Sequence, residues 1–100
     1  QIDGSTEDVL NMGDLESKLK TFGWEVIEIE NGNDIQNIIT IMDKAKKYLF
    51  NKKPVFVLLK TIMGNGVDFM MHTHAWHGKA PNDEQLKLAL NQNPETLGDY

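Results

Sequence analysis

Chemistry-bearing residues concentrate in Lys60–Pro81, KTIMGNGVDFMMHTHAWHGKAP. All three histidines of the chain, His72, His74 and His77, fall here within six residues. A His-x-His pair can hold a transition metal through its imidazole nitrogens. No cysteine is present and no nearby carboxylate stands at a recognisable ligand spacing. Incidental exposure on a polar loop is therefore the stronger explanation of His72 and His74. Trp76-His77-Gly78 differs, because an aromatic neighbour and a glycine flank a titratable donor. A histidine so placed can donate to phosphate, neutral or charged, or carry a proton; packing of the tryptophan competes with that reading. Gly64 and Gly66 allow close backbone approach or a positive φ, although a GxG in a surface loop needs no ligand.

Asp3-Gly4 with Glu7 and Asp8 could suggest a divalent-metal site, but carboxylates in such loops more often serve turns and helix caps. No spacing supports a Ser-His-Asp arrangement, a Walker loop or GxGxxG.

The elements that must position this loop follow from periodicity. Residues 1–13 are polar and read as loop. Leu15, Leu19 and Phe22 recur at helical spacing ahead of Gly23, predicting a short helix over 12–22. Trp24–Glu30 is β-rich and ends at Asn31-Gly32-Asn33, a strand and then a turn. Ile35, Ile38, Ile39, Met42, Ala45 and Leu49 form one apolar stripe on a helix capped by Asn33 or Asp34. Val55–Leu59 is uniformly apolar, as expected of a strand buried on both faces in a parallel sheet. A glycine-containing loop over 64–81 precedes a last helix, capped by Asn82 or Asp83, that carries Leu86, Ala89 and Leu90.

Strand, helix, strand makes a βαβ unit, and the fold class is α/β. Two parallel strands do not make a stable sheet, so further strands are expected outside these residues. The expectation is one partial domain over 1–100, exposing a sheet edge and an apolar face and therefore self-associating. Ligands of open α/β sheets bind beyond the carboxyl ends of the strands, where Lys60–Pro81 emerges.

Composition narrows the partners. With 15 acidic and 10 basic residues the net charge is −5, which disfavours nucleic acid and anionic lipid. The clusters Lys44, Lys46, Lys47 and Lys52, Lys53 are read as solvated helix-end and loop charge in preference to the alternative, a phosphate-binding patch. No apolar run approaches the ~20 residues that span a bilayer. The absence of cysteine fits a reducing, cytoplasmic setting. The opening Gln-Ile-Asp-Gly reads as a cut inside a longer chain.

Several motifs occur in the order seen in transketolases: Gln1-Ile-Asp-Gly-Ser-Thr-Glu-Asp-Val9, Phe22-Gly-Trp-Glu-Val-Ile27, Asn31-Gly-Asn-Asp34, Lys53-Pro54, Lys60-Thr-Ile-Met-Gly-Asn-Gly66 and Trp76-His-Gly-Lys-Ala-Pro81. The chain resembles the thiamine-diphosphate-binding, N-terminal domain of that family over nearly its whole length. The Trp76–Pro81 run and the stop after the last helix look most like the N-terminal subunit of split prokaryotic transketolases. The resemblance implies a parallel-sheet fold of which this chain forms the C-terminal part. It also implies transfer of a two-carbon ketol unit between sugar phosphates, with thiamine diphosphate as electron sink and Mg²⁺ bridging its diphosphate.

Residue by residue, Ile2 matches the position that packs near the cofactor's reactive ring system, and Met63 one near the cofactor where some relatives carry lysine. His77 matches the histidine that faces the diphosphate and the substrate, a catalytic and cofactor-binding position. Met71 stands where many relatives carry glutamate, with no role attached. The family's metal ligands would fall upstream of Gln1, so no metal ligand is expected here and the fragment is expected to be inactive alone. Implied partners are sugar phosphates, further copies in a homo-oligomeric (dimeric) assembly, and a pyrimidine-binding domain or C-terminal transketolase subunit. The alternatives are a fragment of 1-deoxyxylulose-5-phosphate synthase or dihydroxyacetone synthase, and a non-catalytic interaction domain; Trp76–Pro81 favours transketolase over the first. The transketolase reading requires Val55–Leu59 to run parallel to its neighbour and the imidazole at 77 to stay clear of the final helix.

Overall fold

The computed structural model describes residues 2–94, so that Gln1 and residues 95–100 lie outside it. In chain order the elements are α1 (Thr6–Val9), α2 (Leu15–Thr21), β1 (Glu25–Ile29), α3 (Ile35–Lys46), β2 (Val55–Leu59) and α4 (Asp83–Gln92), with 3-10 turns at Asp68–Met70 and His74–Trp76. Residues Thr6–Val9, expected as loop, close one helical turn. Ser5 caps it by accepting from the Asp8 N–H at 3.2 Å, with Glu7 and Asp8 in the first turn. The cap is thus a serine and not one of the acidic residues, which instead complement the positive end of the helix dipole.

Asp14 caps α2 by accepting from Ser17 N–H and Oγ at 2.9 and 2.7 Å. These two bonds hold its carboxyl below the usual aspartate range. Gly23 follows α2 with φ +89°, the left-handed conformation that ends helices. Asp34 caps α3 through the N–H groups of Gln36 and Asn37. Asn82 and Gln85 form a reciprocal capping box on α4.

β1 and β2 pair in parallel, with Glu25 opposite Val55 through Ile29 opposite Leu59. The βαβ unit and the α/β class are therefore present as a two-stranded sheet. Successive strand residues point to opposite faces. Val26, Ile27 and Ile29 are all less than a tenth exposed, so both faces of β1 are covered; α2 and α3 pack against it. Trp24 meets Phe56 edge to face at 5.9 Å.

Two expectations need correction. β2 is half-buried rather than sealed on both faces, because within the described residues only β1 flanks it in the sheet and α3 is the helix that mainly covers it. The apolar stripe of α3 also divides. Of its members only Ile38 and Ala45 turn inward, joined by Ile41 from outside the stripe, while Ile35, Ile39 and Met42 remain outside and Leu49 lies beyond the helix. A narrow two-stranded sheet cannot cover an arc that wide.

No described large side chain is fully buried. The radius of gyration, 17.3 Å, exceeds the ~13 Å of a compact domain of this length. Such a thin body leaves large apolar side chains such as Phe22 and Phe50 in the open. Among the described residues, no helix is long and apolar enough to cross a membrane.

Candidate functional site

The parallel ladder continues past the strand ends. Lys60 N–H donates to Ile29 C=O at 2.9 Å, and Gly32 N–H donates to Lys60 C=O at 2.7 Å. Any Cβ at Gly32 would stand 2.8 Å from the Lys60 carbonyl oxygen, so a glycine is needed for this approach. Asn33 Oδ1 then accepts the Ile62 N–H at 2.7 Å and fixes where the loop leaves the sheet. Lys60 Nζ lies 2.7 Å from both Glu28 and Glu30. The hydrogen bonds that Lys60 donates to those carboxylates, Glu28 first, raise its pKa above the ordinary lysine value, and Lys60 in turn lowers that of Glu30.

Beyond this point the loop is tied by its own backbone. His72 N–H returns to Met63 C=O at 3.0 Å, closing a lobe in which Gly64 has φ +70°. A side chain at Gly64 would collide with the Met70 carbonyl, which accounts for the first glycine of GxG structurally. From outside, α4 latches the lobe. Gln92 Oε1 accepts from Asp68 N–H at 2.8 Å and Asn93 Nδ2 donates to Gly66 C=O at 3.2 Å.

Thr73 caps the His74–Trp76 turn, and His77 is the residue that ends it, its N–H donating to His74 C=O at 3.0 Å. Trp76 anchors the turn by donating Nε1–H to Phe69 C=O at 3.0 Å and meeting the Phe69 ring edge-on at 5.2 Å. Lys79 Nζ sits 4.9 Å over the indole centroid, within cation–π range. The packing role weighed for Trp76 is therefore present, and it holds the backbone that carries His77.

Two cavities flank Met63. The smaller, of about 260 Å³, is lined by Met63, Gly64, Met70, Thr73, Trp76 and His77. The larger cleft, of about 980 Å³, lies between the Gly4–Glu7 turn with Met12, the Leu59–Met63 stretch, and the side chains of His72 and His74. Met63 thus lines both spaces. His77 is exposed and not sealed under α4, and β2 runs parallel to β1, so both requirements set above are met. Ile2 is 62% exposed and lines neither cavity, whose wall begins two residues later at Gly4.

His72 and His74, left without a role from sequence, share the larger cleft with the first turn of the chain. The His-x-His spacing was visible, but nothing in the sequence brings residue 5 beside residue 72. Among the described residues, no three His, Asp or Glu side chains could hold a metal together. The side chains here do not fit Mg²⁺, and no step is assigned to it. They do fit one wall of a phosphorylated organic cofactor, with apolar Met12, Ile62 and Met63 beside Thr61 and imidazole donors.

Residues 1–96 match the family described as transketolase, thiamine diphosphate binding domain. One of the subunits of the apulose-4-phosphate transketolase of Phocaeicola vulgatus is 33% identical over 97% of this chain, which spans 34% of that protein. The transketolase of Scheffersomyces stipitis is 39% identical over 94% of the chain, here 14% of its length. Dihydroxyacetone synthase of Pichia angusta is 32% identical over 92% of the chain and 13% of its length. The chain thus spans about a third or less of these curated relatives. With a family match across all but the last few residues, the chain belongs to the thiamine-diphosphate-binding domain of the transketolase family.

Proposed function

We propose that this chain is the C-terminal part of the cofactor-binding domain of a transketolase that transfers a two-carbon ketol unit between sugar phosphates. The observation that carries the reading is an exposed His77, held by the Trp76 anchor on a loop beyond the carboxyl end of a parallel strand, in a chain of this family. Thiamine diphosphate, when bound, supplies the electron sink for the ketol carbanion. Met63 offers it an apolar wall and Ile2 packs near its ring system. His77 donates a hydrogen bond toward diphosphate or substrate and carries a proton. Mg²⁺ ligands belong to residues upstream of Gln1, so the fragment is inactive alone.

The apolar side chains left open on α3 support a larger assembly. It is a homo-oligomeric (dimeric) cytoplasmic enzyme that also contains the upstream part of the domain and a pyrimidine-binding domain or C-terminal subunit. Relatives that are themselves named as subunits of transketolases support the split arrangement. His77→Ala in the assembled protein is the test. Ketol transfer should fall on the order of 100-fold with folding unchanged, and unaltered turnover removes His77 from the site.

The match to dihydroxyacetone synthase supports a second reading, that of a sister activity on other substrates. A profile of ketol donors and acceptors on the assembled protein separates the two. A non-catalytic interaction domain predicts that the assembly binds no thiamine diphosphate.

A further inference from the structure

Hydrogen bonding sorts the polar groups of the larger cleft into committed and available. Ser5 Oγ donates to Asp8 Oδ2 at 2.8 Å, and Thr6 Oγ1 donates to Glu7 Oε2 at 3.1 Å. Lys60 is held between Glu28 and Glu30. Among the described residues, no hydrogen bond or ion pair engages the imidazole of His72 or His74 or the hydroxyl of Thr61. The cleft therefore offers an incoming ligand two imidazole donors and one hydroxyl, above an apolar floor of Met12, Ile62 and Met63.

The backbone supports a built arrangement. His72 holds φ +58°, a conformation uncommon outside glycine, and its N–H is tied to Met63 C=O at 3.0 Å. Thr73 stands between the two histidines in extended conformation, with φ −135° and ψ 137°. Extended backbone brings side chains two residues apart to the same side, consistent with both imidazoles lining one cleft.

We propose that His72 and His74, with Thr61, form an oxyanion subsite for a phosphoryl group, separate from the smaller cavity lined by His77. The proposal rests on the family reading above and deepens it. The oxyanion belongs either to the cofactor's diphosphate or to the phosphate of the sugar. Charges facing the imidazoles come from Glu7 on α1, whose own backbone N–H and the Thr6 hydroxyl hold its carboxyl below the usual range, and from Lys60 with its two glutamates. With Glu7 anionic and Lys60 compensated by its two glutamates, the donors left for a phosphoryl group are the two imidazoles and the Thr61 hydroxyl.

The test is His72→Asn with His74→Gln in the complete protein, assembled with its partner. Asparagine tolerates positive φ, so the backbone at 72 is retained. Thiamine diphosphate affinity and the KM of a phosphorylated acceptor sugar and of its unphosphorylated counterpart are measured, with folding checked by the melting temperature. A roughly tenfold weaker cofactor affinity at an unchanged melting temperature assigns the subsite to the diphosphate. A tenfold higher KM for the phosphorylated sugar alone assigns it to the substrate. Unchanged values in both arms, or equal losses with the unphosphorylated sugar, overturn the proposal. A wild-type assembly that binds no thiamine diphosphate instead overturns the family reading on which it stands.

Discussion

In the β1–α3–β2 frame, Val26, Ile27, Ile29 and Ala45 are each less than a tenth exposed, whereas between Thr61 and Pro81 only Val67 is buried to that degree. The frame is held by apolar burial and a five-residue parallel register. The loop is held by discrete bonds: Asn33 to Ile62, His72 to Met63, Trp76 to Phe69, and the two latches from α4. Burial is non-directional and tolerates small shifts, whereas these bonds each fix one orientation. A region that must keep histidines exposed cannot use burial to place them. It relies on backbone ties and on glycines where a Cβ would collide.

Substitutions that act on one region and spare the other can break this contrast. The largest stability loss is expected for Ile27→Ala, about 3 kcal/mol from lost burial and the cavity left behind. Urea denaturation of the assembled protein measures it, and a loss below about 1 kcal/mol would mean that β1 is less packed than its burial indicates. Gly64→Ala should cost about 2 kcal/mol, since it opposes both φ +70° and the Met70 carbonyl. It should also lower turnover more than Ile27→Ala does at temperatures where both variants remain folded. If the two lose turnover equally, frame and loop are not separable.

Asn33→Ala sharpens the boundary between them. Loss of the 2.7 Å acceptor should cost about 1 kcal/mol and raise amide exchange at Ile62, leaving exchange in β1 unchanged. The smallest effect belongs to the exposed Lys60 cluster. A lysine with a raised pKa adds stability that is complete below its unfolded value near ~10.4 and lost as pH climbs through its folded value. For Glu30, whose pKa is lowered, the contribution is present above ~4.3 and lost on acidification. Lys60→Met should therefore lower the melting temperature slightly between those limits, and added salt should erase the difference because the pair is solvent-exposed. A difference that persists in high salt would show that Lys60 acts by packing instead.

Much of the frame was legible because its signals are local. The cap at Asp34, the glycine after α2, the β-rich run at 25–29 and the apolar run at 55–59 each act within a few residues. Where the reading fell short, the deciding contact was distant. The outward turn of Ile35 and Ile39 depends on how wide a sheet lies beneath α3, and the helical period alone does not contain that width. The single helical turn at Thr6–Val9 was below the length at which periodicity can be detected.

The same division holds at the candidate site. The amino-acid order placed three histidines and two glycines directly after a buried-type strand, and motif order alone pointed to the family, because strand and loop propensities and ordered motifs are written along the chain. Only the tertiary structure put His77 on a different cavity from His72 and His74, gave the latter pair a cleft shared with Ser5 and Thr6, and made Met63 line both spaces. That arrangement arises from chain closure over some sixty residues, fixed by the parallel register of β1 and β2 and the return bond to Met63.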